Sequence, residues 1–198
     1  MQKTADTQSP VLEVIQQRWS PLAFSSQPVE AEKIYSVLEA ARWAASSYNE
    51  QPWTFIVTTQ GNQEAYDRLL SCLAESNQTW AKQAPILILS VAKLFFQHNG
   101  VENRHAFHDV GQATAHLILQ ATALGLFAHQ MAGFDGNKAR EQFAIPDRYE
   151  PVAVMALGYP GNLEDLPENL HDRELKPRSR KPVSEVAIGG SWGTALSL

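Results

Sequence analysis

Three separated segments of the sequence carry side chains that could bind a polar ligand. They are Arg18-Trp19-Ser20 near the N-terminus, the stretch SSYNEQPW that begins at Ser46, and Arg178 with Arg180 in the C-terminal tail. Guanidinium groups present paired donors to phosphate oxygens, and a serine hydroxyl adds a short charge-assisted bond. Amide and hydroxyl groups on a turn suit a flat heterocycle with alternating donors and acceptors. The residues alone favour a simpler interpretation, solvated arginines and a turn that ends a helix, and their spacing does not decide between the two.

A second pattern could in principle hold a metal ion. His105 and His108 are three residues apart, which places them on one face of a helix, and Asp109 follows directly. A metal-dependent hydrolase that uses these three groups is therefore one alternative. The other interpretation is a helix that starts here with Asp109 as its N-cap. Glycine-rich phosphate motifs are absent from the sequence, and the elbow-like string GGSWG lies too close to the end of the chain for a following acid and histidine.

Hydrophobic periodicity predicts the elements that would position these groups. Two amphipathic helices are indicated by apolar residues at helical spacing, namely Ile34, Val37, Leu38 and Ala41 in the first and Tyr66, Leu69, Leu70 and Leu73 in the second. Short apolar runs predict buried strands over 53–58, 86–91 and 152–157. A long alanine-rich helix, apolar nearly all round, is predicted over 108–126. Strands that alternate with helices favour a layered α+β or α/β domain.

Length and composition favour one compact domain over residues 1–198. The chain has a net charge of -5 and a pI near 5.7, so its overall charge does not favour binding to nucleic acid or to an anionic membrane. Residues 1–20 contain no continuous apolar core of signal-peptide length, and the longest apolar run, 84–96, is interrupted by Ser90 and Lys93. Because Cys72 is the single cysteine, an internal disulfide is excluded, and we expect its side chain to be a buried packing residue. We expect a cytoplasmic protein.

In order and separation, these motifs resemble the FMN-dependent nitroreductase family over nearly the whole chain. The similarity is carried by Arg18-Trp19-Ser20, by the complete SSxNxQPW turn at 46–53, by Asp109-Val110-Gly111-Gln112-Ala113, by Gly133-Phe134-Asp135, and by Arg180-Lys181-Pro182. The turn is the most specific of them. The resemblance implies an α+β fold with three α/β/α layers around a central mixed, mainly antiparallel sheet. It also implies an intertwined homodimer in which each tail, about 170–198, wraps the partner and one FMN lies in each of two interface clefts.

The resemblance also implies roles for individual residues. The phosphate and ribityl oxygens would be held by Arg18, Trp19, Ser20, Arg178 and Arg180. The isoalloxazine ring would be met by Ser46, Ser47, Asn49 and Gln51. Asn77, in a loop over 75–83, would reach the pyrimidine edge, and backbone N–H groups at Ala132 and Gly133 would point at flavin N5.

The implied activity is an NAD(P)H oxidoreductase that works by ping-pong hydride transfer through FMN. Its acceptors would be small electron-poor molecules such as nitroaromatics, quinones or activated alkenes. No side-chain nucleophile is needed, because the flavin carries the hydride. A flavin-binding protein without turnover and the metal-dependent hydrolase remain as alternatives.

Two positions depart from the family pattern. Leu22 and Trp80 stand where many members have a lysine or arginine near the N1/O2 edge of the flavin. Without cations there, the negative charge of the reduced flavin would be stabilised less. We therefore expect a lower flavin potential than in members that keep these cations, and a rise on Leu22→Arg.

Overall fold

The computed structural model describes residues 3–197. Its helices are α1 (Glu13–Gln17), α2 (Ala31–Arg42), α3 (Gln63–Leu70), α4 (Glu75–Ala81), α5 (Ala106–Ala123), α6 (Gly136–Gln142), α7 (His171–Leu175) and α8 (Val183–Val186). Its strands are β1 (Trp53–Thr59), β2 (Ile86–Lys93), β3 (Phe127–Met131) and β4 (Tyr149–Gly158). Short 3-10 helices span Ser47–Asn49, Leu163–Asp165 and Glu168–Leu170. None of the described helices is long and apolar enough to cross a membrane.

The four strands form one sheet in the order β1-β2-β4-β3. Every pairing between them is antiparallel, so within residues 3–197 the expected mixed sheet contains no parallel pair. The central strand β2 is buried at all but its last residue, which explains its unbroken apolar sequence. Strands β1 and β3 are the two edges. The three predicted strands are confirmed with slightly longer bounds, whereas β3 was not predicted.

Side chains alternate along the strands between two hydrophobic cores, one on each face of the sheet. Ile86 and Ile88 of β2 pack with α2 and α5 on one face. Leu87 and Leu89 pack on the other face with side chains of α3, α4 and α6. Because successive residues of a strand point to opposite faces, this pattern requires helices on both sides. The three-layer α/β/α arrangement is confirmed.

The central helix starts and ends earlier than the sequence suggested. It covers Ala106–Ala123 rather than 108–126, and its N-cap position is His105. Asp109 is therefore not a cap but a buried residue of the first turn. The helix ends because Gly125 adopts a left-handed conformation with φ of 76°, and the N–H of Leu126 then returns to the carbonyl of Ala121. The prediction of a helix apolar nearly all round was too broad, since Phe107 is half exposed and His116 is exposed.

The two amphipathic helices are confirmed as α2 and α3, with one difference. Helix α3 ends at Leu70, so Leu73 is buried in the turn that follows instead of on the helix. Cys72 lies in the same turn and is buried as expected. Burial raises the pKa of its thiol, which suits a packed side chain and not a nucleophile.

The C-terminal tail lies against the N-terminal segment of its own chain. The Lys3 ammonium donates to the carbonyls of Glu174 and Lys176, and the buried Glu174 carboxylate accepts the N–H of Leu22 at 2.8 Å. Beyond α7 the tail exposes apolar side chains, most of all Trp192, which is 96% exposed. These apolar side chains of the tail are therefore not buried against their own chain.

Candidate functional site

Three arginines from opposite ends of the chain come together at one site. Arg18 is partly buried, and its Nη1 donates to Ser20 Oγ at 3.2 Å. Burial lowers the pKa of Arg18, and the positive charges of Arg178 and Arg180 lower it further. Among residues 3–197, no carboxylate lies within 4.0 Å of any of the three guanidinium groups. An unneutralised cation cluster beside a serine hydroxyl suits a phosphate.

The two tail arginines are used differently. Arg178 Nη1 donates to the carbonyls of Lys3 at 2.8 Å and Gln16 at 2.6 Å, so this atom fixes the tail to the N-terminal segment. Arg180 is exposed, and its Nη1 donates to the carbonyl of Ser179 at 2.7 Å. Burial and the charge of Arg180 lower the pKa of Arg178. Of the two, Arg180 keeps more of its donors free for a ligand.

Trp19 is a packing residue of this region. Its side chain is only 4% exposed, contacts the Phe127 ring edge-on, and lies 4.7 Å from the Lys3 ammonium. Because its side chain is buried, we expect Trp19 to contribute to cofactor binding only through its backbone and by supporting its neighbours.

Asn77 and Gly133 meet at the end of β3. Asn77 lies in helix α4 and not in a loop, and its Nδ2 donates to the carbonyl of Gly133 at 3.0 Å. A Cβ on residue 133 would lie 2.9 Å from that same Nδ2, so only glycine permits this approach without displacing the amide. Ala132 and Gly133 are exposed and border an open cavity of about 520 Å³. A planar ligand therefore has room to lie against this backbone.

Packing connects the Asn77–Gly133 contact to the arginine cluster. One turn after Asn77, the ring of Trp80 lies 4.6 Å from that of His129 on β3. His129 Nδ1 donates to the carbonyl of Pro21 at 2.7 Å, next to Ser20. Burial is the main cause that lowers the pKa of His129, and the charges of Arg173 and Arg18 act in the same direction. We call the set formed by Arg18, Ser20, Asn77, Ala132, Gly133, Arg178 and Arg180 the arginine group.

The remaining predicted residues form a separate turn before β1. Tyr48, Asn49 and Gln51 all have positive φ angles, of 53°, 55° and 49°. Each such non-glycine conformation costs about 1–2 kcal/mol, so the surrounding contacts must hold the turn in place. Ser46 Oγ accepts the N–H of Gln51 at 3.0 Å, which closes the turn on itself. We call the set formed by Ser46, Ser47, Asn49 and Gln51 the turn group.

Two nearly buried carboxylates, one on α5 and one in the turn itself, stabilise this turn. Asp109 Oδ2 accepts the N–H of Ser47 at 3.0 Å. Glu50 Oε1 accepts from Lys93 Nζ at 2.8 Å and from the N–H of Gln97 at 2.9 Å. Burial opposes ionisation of Glu50, but these two donors outweigh it and lower the pKa of the carboxyl. Sequence reasoning assigned no such role to either residue, because each contact joins positions far apart in the chain.

An aromatic cluster covers the exposed side of the turn. The ring of Tyr48 is 83% exposed and lies 5.6 Å from that of Phe96, edge-on, and 5.7 Å from that of His98. Such rings offer a stacking surface for another planar molecule.

The arginine group and the turn group lie at opposite edges of the sheet. The turn leads directly into β1, and Ala132 and Gly133 directly follow β3. Three strand spacings of about 4.8 Å separate these edges by roughly 14 Å. Among residues 3–197, no hydrogen bond joins a residue of one group to a residue of the other. On one chain the two groups are therefore separate.

The two positions that depart from the family pattern both lie in the core. Leu22 is 2% exposed and Trp80 is completely buried. Neither side chain reaches the surface on which the arginine group lies, so the structure does not support the expectation that these substitutions act directly on a flavin edge.

The possible metal ligands do not assemble. His108 Nδ1 lies 3.2 Å from Asp109 Oδ1, whereas Asp109 Oδ2 is engaged by Ser47. The described part of the chain contains no group of three or more His, Cys, Asp or Glu side chains that could hold a metal ion.

Comparison with known proteins agrees with this architecture. A Mycolicibacterium smegmatis protein, described only as an uncharacterized 15.4 kDa protein, is 36% identical over 151 residues, which cover 72% of this chain and 99% of that relative. A Streptomyces coelicolor protein with the provisional name NADH dehydrogenase/NAD(P)H nitroreductase is 28% identical over 178 residues, with coverage of 77% and 86%.

Solved structures extend the similarity to the whole fold. One described as an oxidoreductase containing FMN has a TM-score of 0.90 at 32% identity and covers 96% of both chains. A nitroreductase family protein from Clostridium difficile has a TM-score of 0.70 at 28% identity, with coverage of 94% of this chain and 99% of that one. The family model described as the Nitroreductase family matches residues 15–159, which include Arg18, the turn group, Asp109 and Gly133. The chain belongs to the nitroreductase family.

Proposed function

We propose that the protein is an FMN-dependent NAD(P)H oxidoreductase that reduces small electron-poor acceptors. The observation that carries this proposal is the cluster of Arg18, Arg178 and Arg180 beside Ser20, three cations with no carboxylate partner among the described residues. FMN supplies a phosphate for such a cluster and a flat heterocycle for the turn group. The neighbour that contains FMN and the relatives named for NAD(P)H and nitroreductase activity support the same assignment.

The separation of the two groups on one chain leads us to propose a homodimer. The edge-to-edge separation of roughly 14 Å between the two groups favours a ring that is contacted by residues of two different chains. In a symmetric dimer, the turn group of one protomer lies beside the arginine group of the other, and two equal sites result. The exposed tail from about 170 to 198 would wrap the partner, and residues 1–198 would form one flavin-binding domain.

Each group has a distinct task in this proposal. When bound, FMN would accept hydride at N5 from NADH or NADPH and pass it to the acceptor. The arginine group would hold the phosphate, and the Gly133 backbone would let the ring approach closely. The turn group would satisfy the polar edge of the ring and would leave one face accessible. Tyr48 and Phe96 offer aromatic surface beside that face, suited to nitroaromatics, quinones or activated alkenes. A cytoplasmic location, where reduced nicotinamides are supplied, belongs to the same proposal.

The visible spectrum of the purified protein tests cofactor binding, because oxidised FMN absorbs blue light. Turnover is tested by steady-state rates at several concentrations of NADH or NADPH and of a quinone. Hydride transfer in two separate steps through one cleft gives parallel double-reciprocal lines. Flavin that NADH and NADPH fail to reduce in a stopped-flow mixer would instead identify a flavin-binding protein without turnover. Sedimentation of a flavin-loaded monomer at low micromolar concentration would contradict the dimer.

A further inference from the structure

The buried carboxylate of Asp109 is the group on α5 that holds the turn group in place. Asp109 is 2% exposed, and its Oδ2 accepts the N–H of Ser47 at 3.0 Å across 62 positions of sequence. Ser47 is the first residue of the 3-10 turn. The next two residues, Tyr48 and Asn49, are the first pair with left-handed φ angles. The contact therefore acts where the chain enters its strained conformation.

The carboxyl group of Asp109 has few partners. The other carboxylate at the turn, Glu50, has Lys93 as a partner at 2.8 Å. Asp109 has only the Ser47 N–H and, at 3.2 Å, the Nδ1 of His108, whose side chain is 71% exposed. Among residues 3–197 no lysine or arginine lies within 4.0 Å of it. Replacement of a buried acidic side chain by an apolar one of similar shape is often neutral or even stabilising for the fold.

We propose that Asp109 is a positioning residue, which fixes the turn group for flavin binding through the backbone of Ser47 and does not itself touch the cofactor. This inference rests on the proposed function for its ligand, but its structural part concerns the turn alone. A residue present only for stability would weaken the whole fold when removed. A positioning residue instead loosens the turn and reduces flavin binding, while the core remains intact.

Asp109→Leu tests the proposal, because leucine keeps the branching at Cγ and removes the acceptor. Asp109→Asn keeps one oxygen that can accept the Ser47 N–H. Thr122→Val is the matched control, since Thr122 is buried on the same helix and its hydroxyl donates to the Ile118 carbonyl, away from the turn.

Hydrogen exchange in the flavin-free protein is measured first, by mass spectrometry of peptides that cover the turn and β2. We expect Asp109→Leu to accelerate exchange at residues 47–51 at least about tenfold, because the turn loses its anchor on α5. Exchange in β2 should stay at the wild-type rate, and Thr122→Val should leave the turn unchanged. Equal acceleration in β2 and in the turn would overturn the proposal, since it would assign Asp109 to general stability. Wild-type exchange in Asp109→Leu would overturn it as well.

FMN affinity is measured next, by quenching of flavin fluorescence. An unsatisfied N–H and a displaced turn should raise the dissociation constant of Asp109→Leu at least about fivefold. Asp109→Asn should recover most of this loss, and Thr122→Val should bind like the wild type. An unchanged dissociation constant in Asp109→Leu would overturn the proposal. A wild-type protein that binds no FMN would refute the proposed function instead, and the exchange measurement would then decide the role of Asp109 alone.

Discussion

Replacement of Arg180 by alanine should separate cofactor binding from stability. Arg180 is exposed, and the one hydrogen bond of its guanidinium to the described residues goes to the carbonyl of Ser179. Its charge lowers the pKa of both Arg18 and Arg178, which shows that the three cations repel one another when no phosphate is present. The variant should therefore lose affinity for FMN without losing stability in the flavin-free state.

The expected magnitudes follow from these contacts. One charge-assisted hydrogen bond to phosphate contributes about 1.5–3 kcal/mol, which corresponds to roughly a 10- to 150-fold increase in the dissociation constant of FMN. The flavin-free variant should unfold within about 0.5 kcal/mol of wild type, or at slightly higher denaturant, because repulsion is relieved. Added salt screens that repulsion, so any gain in stability should be largest at low ionic strength.

Flavin fluorescence gives the dissociation constant, and urea unfolding of the flavin-free protein gives the stability. Arg104→Ala is the control, because Arg104 is exposed and its side chain makes no hydrogen bond or salt bridge with the described residues. Equal FMN affinity in wild type and Arg180→Ala would remove Arg180 from the phosphate site. A loss of affinity matched by an equal loss of stability would show that the tail acts through folding.

Two further substitutions test Gly133 of the arginine group and His129, which packs between its parts. Gly133→Ala should displace the Asn77 amide, because the new Cβ would lie 2.9 Å from its Nδ2, and FMN binding should weaken several-fold. The control Gly111→Ala, which has open space at its Cβ, should bind FMN like the wild type. Equal affinities of the two variants in fluorescence titrations would contradict this expectation. The pKa of His129 is lowered in the folded state, so below about pH 6.5 the unfolded chain binds more protons than the folded one. The free energy of unfolding should therefore fall as the pH drops from about 6.5 toward the pKa of His129 in the folded protein, by at most about 1.4 kcal/mol per pH unit. His129→Gln should remove that slope in urea unfolding between pH 5 and 8 while His116→Gln keeps it, and an identical slope in all three proteins would assign it to other groups.

Periodicity was sufficient for the elements whose burial is regular. Helices α2 and α3 each bury one repeating face of apolar residues, and strand β2 is a mostly apolar run buried on both faces, so their positions were predicted closely. Strand β3 was missed because its sequence FAHQM buries only Ala128 and Met131 and contains two polar residues between them. It pairs with the single partner β4 at the edge of the sheet, and a five-residue edge strand gives little periodic signal.

The candidate site was predictable where it depends on motifs and unpredictable where it depends on long-range contacts. The resemblance named Arg18 and the tail arginines together, and the fold does bring them into one cluster. Asp109 looked like an N-cap because an acidic residue precedes a long apolar stretch. Its carboxylate instead accepts the N–H of Ser47, a contact that forms only because the turn packs on α5.

Leu22 corresponds to a family position near the flavin, but its side chain lies in the core. The resemblance suggested that Leu22→Arg would raise the flavin potential, but the side chain is 2% exposed and packs in the core that includes Phe24 and Trp80. An arginine there would bury a charge, at a cost of several kcal/mol. We therefore expect Leu22→Arg to unfold at markedly lower urea concentration, whereas the apolar control Leu22→Met should lose less than about 1.5 kcal/mol. A Leu22→Arg protein of normal stability whose flavin potential has risen would show that residue 22 faces the ring after all, because only a solvated or phosphate-paired cation could combine those two properties.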